Sequence, residues 1–288
     1  MQRKPLPGAP VDPVVAYYDE TWYDYRVVWL NPHNLAFHFG YHDQTHRTHA
    51  AALENSNRIL ADIAGVRPGH RVLDAGCALG GSSFWLAQHR GAEVVGITVV
   101  QSQIDRARRL AERRGLADRV TFELADYTRT PFPDTSFDAV WALESLCHAA
   151  EKAAFYREAA RLLRPGARLV VAEYMRTTRR IDAPGDRLVR EWLDGWMIPD
   201  LDTGDEHLGA ATAAGFADVT LRDGTHYTRP SLRRLYRMAF LAYPIGLMLR
   251  SVGLRTQTQH GNLVASLRQY QALERNHWFY GILSATKP

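Results

Sequence analysis

The sequence is short of cysteine. Its 288 residues include only Cys77 and Cys147, too few for a disulfide framework, so a reducing, cytoplasmic setting is expected. Lysine is scarce as well, while arginine is abundant and scattered, with no basic tail. The net charge of +4 and isoelectric point near 9.1 thus give weak support for an anionic substrate and little for a nucleic-acid partner. Long hydrophobic runs are also missing. The best candidate, within Ser231–Leu254, is uncharged only over the 12 residues Met238–Leu249, against the roughly 20 that cross a bilayer. Pro244 and Gly246 are expected to break it, and Arg233, Arg234, Arg237 and Arg250 flank it. A helix packed on the domain is therefore expected, with a membrane-surface helix as the rival. The Pro-rich start, Met1–Pro13, lacks the apolar core of a signal peptide or anchor. No internal repeat or low-complexity segment stands out.

What is present is globular in balance, with 46% hydrophobic and 23% charged residues, which excludes wholesale disorder. From residue 70 onward, short apolar runs alternate with helical patterns. Strands are expected at Arg71–Leu73, Glu93–Ile97, Val120–Leu124, Phe137–Leu143, Arg168–Ala172, Asp218–Leu221 and Phe279–Ala285. The clearest helices between them are Gly80–His89, Gln101–Arg114 and Lys152–Leu163. This order predicts an α/β fold: a Rossmann-like, doubly wound, seven-stranded and mostly parallel sheet. Two helical regions fall outside the alternation. The expected organisation is an arm and lid over residues 1–66, a core over 67–224, a helical lid insert over 225–276 and a last core strand over 277–288. Ligands of such sheets lie beyond the carboxyl ends of the strands, the edge that both extra regions could cover.

The first strand runs into a glycine turn, Asp74-Ala75-Gly76-Cys77-Ala78-Leu79-Gly80-Gly81. No Lys follows the glycines, which excludes a phosphate-binding P-loop. The spacing is wrong for a dinucleotide fingerprint, and Thr98 stands where an acid would grip a ribose. A carboxylate beside the turn would repel a pyrophosphate but suits a ligand whose groups are positive, such as a nucleoside carrying an ammonium and a sulfonium.

"VLDAGCALGG" resembles the first motif of class I S-adenosylmethionine-dependent methyltransferases. "VVGITVVQSQI", "LADY", "FDAVWALESLCHA" and "RLLRPGARLVVAEY" follow in the family's order over about 105 residues. The resemblance implies S-adenosyl-L-methionine as cofactor, with Asp74, Gly76, Cys77 and Gly80 at its methionine end. It also implies Thr98 and Gln103 near the ribose, and Asp126 with Tyr127 near the adenine. Thr98 in place of an acid is similar to the branch that methylates carbon in sterols, fatty acids and prenyl diphosphates, as are "AYYDETWYDYRVVW…FHFGYHD" and "ESLCHA".

That branch implies Glu144 as a base. Attack of a double bond on a methyl donor leaves a carbocation, which a carboxylate can stabilise and then deprotonate. His148 is a second catalytic candidate, as an aid to Glu144 or a diphosphate ligand. Tyr25, Phe37, Tyr41, Trp192 and Trp196 are expected to face the cation or the isoprenoid chain. His33, Asn34, His38, Arg26 and Arg176 are expected on a substrate diphosphate, directly or through Mg²⁺, since Arg suits phosphate. His38, His42, His46 and His49 carry no Asp/Glu–His metal motif, and a metal site is left unknown. The expectation is C-methylation of an isoprenoid double bond, a prenyl diphosphate such as geranyl or farnesyl diphosphate first. The alternatives are O- or N-methylation of a small natural product, or C-methylation of a sterol or other neutral lipid. A homo-oligomer is compatible with the sequence.

Overall fold

Seven strands form one sheet in the computed structural model, which describes residues 13–28 and 34–288. In chain order they are β1 (Arg71–Ala75), β2 (Glu93–Thr98), β3 (Val120–Leu124), β4 (Phe137–Leu143), β5 (Leu163–Arg176), β6 (Ala217–Asp223) and β7 (Trp278–Thr286). Their spatial order is β3-β2-β1-β4-β5-β7-β6. The first five run parallel, while β7 is antiparallel to both of its neighbours. This is the doubly wound α/β sheet that the alternation predicts.

The central strands read as unbroken apolar runs because helices cover both faces. In β1, Val72 enters one hydrophobic core and Leu73 the other; in β4, Trp141 and Val140 divide in the same way. Helices α3 (His49–Ala64), α4 (Gly81–Arg90), α5 (Gln101–Arg114), α6 (Lys152–Leu162), α7 (Ala183–Gly195) and α8 (Gly204–Ala213) supply these layers. The α3 helix begins where the Thr48 hydroxyl accepts from the Ala51 N–H, and it ends at Gly65, whose φ of 64° lets its N–H cap the last turn.

Two departures from the sequence reading concern length. β5 extends beyond the expected Ala172 to Arg176 because β7 pairs with it as far as Arg176↔Trp278. The long helix α9 (Thr225–Ser251) runs through both Pro244 and Gly246, where a break was expected. α10 (Gln257–Glu274) braces it there: a Cβ on Gly246 would lie 2.7 Å from a Leu263 methyl, so glycine permits the contact. Before the core, α1 (Pro13–Glu20) and α2 (Trp22–Val28) bring Tyr18 and Tyr25 to the carboxyl edge of the sheet. Among the described residues no helix is long and apolar enough to cross a membrane.

Candidate active site

β1 ends at Asp74-Ala75, and the chain turns through Gly76 at φ 94°. A Cβ there would sit 2.2 Å from the Ser145 Cβ, so only glycine lets the ends of β1 and β4 approach this closely. Asp74 is buried, with one oxygen accepting from the Trp141 indole at 2.9 Å and the other from the Ser83 hydroxyl at 2.5 Å. Burial raises its pKa to about 6, against those two donors.

Asp74 lines a small cavity of about 20 Å³ together with His38, Gly76 and Cys77. His38 is buried, and burial lowers its pKa to about 4, so the ring is neutral at pH 7. Its Nδ1–H donates to the Phe39 carbonyl at 3.0 Å, which leaves Nε2 an acceptor, buried and with no partner among the described residues. Two acceptors thus meet at one small space, an arrangement that suits a cationic ammonium group. With Nδ1–H committed to Phe39, His38 Nε2 offers a lone pair and no proton, so the ring has no donor for direct contact with a diphosphate.

Phe37, Gly76, Ala78 and Leu143 also line a larger cavity of about 470 Å³. On its β2–β3 side, the Thr98 hydroxyl donates to Gln103 Oε1 at 2.9 Å, holding the amide in place at the start of α5. Asp126 Oδ1 accepts from the Thr128 N–H and hydroxyl, and the Tyr127 hydroxyl donates to the Ser145 carbonyl at 3.0 Å. All four residues line the cavity. Gly80 packs on Phe122 and lines neither cavity.

On the β4–β5 side stands Glu144, a non-glycine residue with φ 51° just past β4. That sparsely populated conformation turns its side chain out of the strand's alternation and into the cavity wall. Its Oε1 accepts from the Phe39 N–H at 2.7 Å and the Tyr280 hydroxyl at 2.9 Å; Oε2 accepts from the Tyr174 hydroxyl at 2.5 Å. Burial dominates its electrostatics and pushes its pKa to about 8, against these three donors. Tyr18, Tyr25, Phe37, Tyr174 and Trp196 complete an aromatic wall. Phe37 stacks on Tyr25 with centroids 5.0 Å apart, and His148 Nε2 meets the Tyr18 hydroxyl at 3.0 Å.

Other expected site residues lie elsewhere. Tyr41 stacks on Tyr227 at 4.2 Å, and Trp192 is packed behind Tyr174 against Trp278; neither lines the cavity. The Asn34 side chain accepts from the Ala36 N–H within its own loop. Arg176 is committed to Asp200 at 2.7 Å and to the Leu201 carbonyl. Arg26 lines a separate surface groove with Trp22 and Arg106. His33 lies outside the described residues. Among the described residues no three metal-donor side chains are grouped. Tyr18, Tyr174 and Tyr280 were not singled out in the sequence; the one local signal was the place of Tyr174 at the carboxyl end of a strand.

Sequence comparison decides the family. A profile described as "Methyltransferase domain" matches residues 73–171. The 27-O-demethylrifamycin SV methyltransferase of Amycolatopsis mediterranei is 34% identical over 259 residues, 87% of this chain and 89% of that protein. The chain belongs to the S-adenosylmethionine-dependent methyltransferases. A sterol 24-C-methyltransferase of Gibberella zeae is 34% identical to this methyltransferase over 71% of the chain and 57% of its own length. Among solved structures, the [4+2]-cyclase SpnF superposes with a TM-score of 0.78 at 28% identity, covering 96% of both chains. A geranyl diphosphate methyltransferase superposes with a TM-score of 0.73 at 19% identity, over 96% of this chain and 98% of that one.

S-adenosylmethionine is the cofactor of this methyltransferase, and the residues fit it. The two acceptors at the small cavity, Asp74 Oδ and His38 Nε2, suit the ammonium of its methionine end. Gln103, Asp126 and Tyr127 offer polar groups and a ring for its nucleoside.

Proposed function

We propose that this methyltransferase methylates a double-bond carbon of a neutral, largely apolar acceptor of isoprenoid type, with Glu144 accepting the departing proton. The observation that carries this reading is Glu144 itself, a buried carboxyl set in a wall of aromatic rings. When bound, S-adenosylmethionine supplies an electrophilic methyl group. As the acceptor's π electrons form the new carbon–carbon bond, the sulfur–methyl bond would break with its electron pair left on sulfur, and a cation would remain on the neighbouring acceptor carbon. Tyr25, Phe37, Tyr174 and Trp196 line the cavity, and a ring whose face meets the cation stabilises it by about 0.5–2 kcal/mol. Glu144 Oε1 already carries two donors, whereas Oε2 carries one, so the remaining lone pair of Oε2 takes the proton while the C–H electrons re-form a double bond.

The cavity gives no support to a diphosphate handle. Among the described residues no Lys or Arg lines it, Arg176 and Arg179 are held by Asp200, Asp202 and Glu206, and burying an unpaired polyanion is prohibitively costly. A neutral acceptor therefore fits this lining better than geranyl or farnesyl diphosphate.

O-methylation is the second reading, favoured by the contact between Tyr18 and His148. The His148 Nδ1–H faces the Met197 carbonyl at 3.4 Å, which leaves Nε2 to accept a proton. The test is mass spectrometry of products formed with methyl-labelled S-adenosylmethionine and a panel of sterols, linear terpenes, geraniol, geranyl diphosphate and phenols. Labelled C-methyl product from neutral isoprenoids, insensitive to a metal chelator, is expected. Turnover confined to the diphosphate, or label found only on oxygen with His148→Ala the more damaging variant, would overturn the first reading.

A further inference from the structure

Among the described residues, the carboxyl-terminal half of α9 carries more exposed large apolar side chains than any other element. Its amino-terminal half packs inward through Leu232, Leu235 and Ala239. Beyond Ala239 the helix faces outward: Leu241 is 74% exposed, Ile245 58%, Met248 59% and Val252 62%. These residues recur every three or four positions, so they form one stripe along the helix. Arg234 and Arg237 continue that stripe toward the amino terminus. Phe240 and Leu247, also exposed, widen it.

The charge around the stripe is one-sided. Residues 224–273 contain seven arginines and no Asp or Glu, whereas the rest of the chain sets 28 of the 35 basic residues against all 31 acidic ones. Three of the seven are neutralised: Arg229 by Glu274, Arg255 by Asp24 and Arg268 by Glu191. Of the other four, Arg233, Arg234 and Arg237 flank the apolar stripe and Arg250 lies on the opposite side of the helix; among the described residues none of the four is in an ion pair. Arg233 donates to the Tyr270 hydroxyl, and Arg234 contacts the His49 ring.

The surface continues onto the catalytic arm. Tyr23 and Val27 of α2, 67% and 62% exposed, line a groove of about 240 Å³ with Met238, Ile245 and Leu249 of α9. Tyr25, between them in the same helix, lines the catalytic cavity. One short helix therefore separates the exposed apolar face from the site.

We propose that the α9 stripe and the exposed side of α2 dock this methyltransferase onto an anionic lipid bilayer. The apolar side chains sink into the headgroup–acyl boundary, and Arg233, Arg234 and Arg237 meet lipid phosphates. An apolar stripe edged by unneutralised arginines is complementary to that surface, and a bilayer is where a neutral, apolar acceptor would be concentrated. The docking stands on the surface alone and does not depend on which atom is methylated.

The test is co-sedimentation of the whole enzyme with vesicles of phosphatidylcholine alone and of phosphatidylcholine with phosphatidylglycerol, at low and high salt. Binding to the anionic vesicles, weakened by salt, is expected. The triple variant Leu241→Ser, Ile245→Ser, Met248→Ser and, separately, Arg233→Gln, Arg234→Gln, Arg237→Gln should each lower the partition coefficient by about tenfold or more. Both variants alter exposed side chains outside the cavity lining, so S-adenosylmethionine affinity should be unchanged. The proposal is overturned if the enzyme ignores anionic vesicles at low salt, or if the serine variant binds them as well as the parent does. It is equally overturned if light scattering finds a dimer that the serine variant dissolves while no vesicle binding occurs, which would assign the stripe to a second copy of this chain.

Discussion

Glu144 combines three properties that a carboxyl in water would not hold together. It is buried, it sits at a positive φ, and it is fixed by donors from three separate parts of the chain. In Glu144→Gln, the amide oxygen can still accept from the Phe39 N–H and the Tyr280 hydroxyl. The Tyr174 hydroxyl can rotate to accept from the new amide N–H. Shape and cofactor binding should therefore survive while the proton acceptor is lost, and turnover should fall by about 10²-fold or more. Because burial holds the carboxyl near pKa 8, the basic form grows as pH rises through that value. In wild type, kcat/KM should climb from neutral toward alkaline pH, and in Glu144→Gln the same limb should be flat. Steady-state rates over a pH series check this; wild-type turnover by the variant, or an unchanged limb, would remove Glu144 from the chemistry.

At the scale of elements, the amino-terminal arm and α4 depend on one glycine. A Cβ on Gly81 would lie 2.4 Å from the Asn34 carbonyl oxygen and 2.6 Å from that of Leu35. Those residues lead to Phe37, which stacks on Tyr25, and to Phe39, whose N–H holds Glu144. Gly81→Ala should force the arm off the helix start, at the cost of about 1–3 kcal/mol typical of overpacking. A lower melting temperature and weaker S-adenosylmethionine binding by calorimetry are expected together. An intact melting temperature would mean that the arm is not seated on α4. The glycine turn itself was legible in the sequence, because a turn, a strand end and a helix start are local events. The seating of the arm was not, since nothing local in residues 34–39 marks α4 as their partner.

For the molecule as a whole, three buried carboxyls set how stability responds to pH. Burial, as the largest effect in each case, raises Asp74 to about 6, Glu173 to about 7 and Glu144 to about 8. The folded state therefore keeps protons that the unfolded chain has released. This contribution is complete below the ordinary carboxyl range and is lost as pH rises through those values. Buried His38 and His207, lowered to about 4 and about 3, act the opposite way, but only below about pH 6.5, where an unfolded histidine gains its proton. Between about pH 6.5 and 8.5 the urea midpoint of the enzyme without cofactor should therefore fall, and Glu144→Gln should flatten the upper part of the decline. A midpoint that rises across this window would contradict the burial of these groups.

The sequence by itself determined the sheet and the carboxyl edge where the site lies. Apolar runs such as Arg71–Leu73 and Phe137–Leu143 mark buried strands by their own composition, and Asp74 and Glu144 follow directly from where those strands end. Both depend on contacts within a few residues, which a linear pattern records. The tertiary structure alone decided which aromatic rings and which charges belong to the site. Tyr174 and Tyr280 lie directly across from each other because β5 and β7 pair antiparallel with Tyr174 opposite Tyr280, a register that no local periodicity sets. Tyr41 and Trp192 look equally suited in sequence, yet they turn to Tyr227 and Trp278. Arg176 looks like a phosphate ligand until Asp200, on the loop after α7, comes within 2.7 Å of it. A long charged side chain takes the nearest opposite charge that folding delivers, and that partner is fixed by how the elements pack.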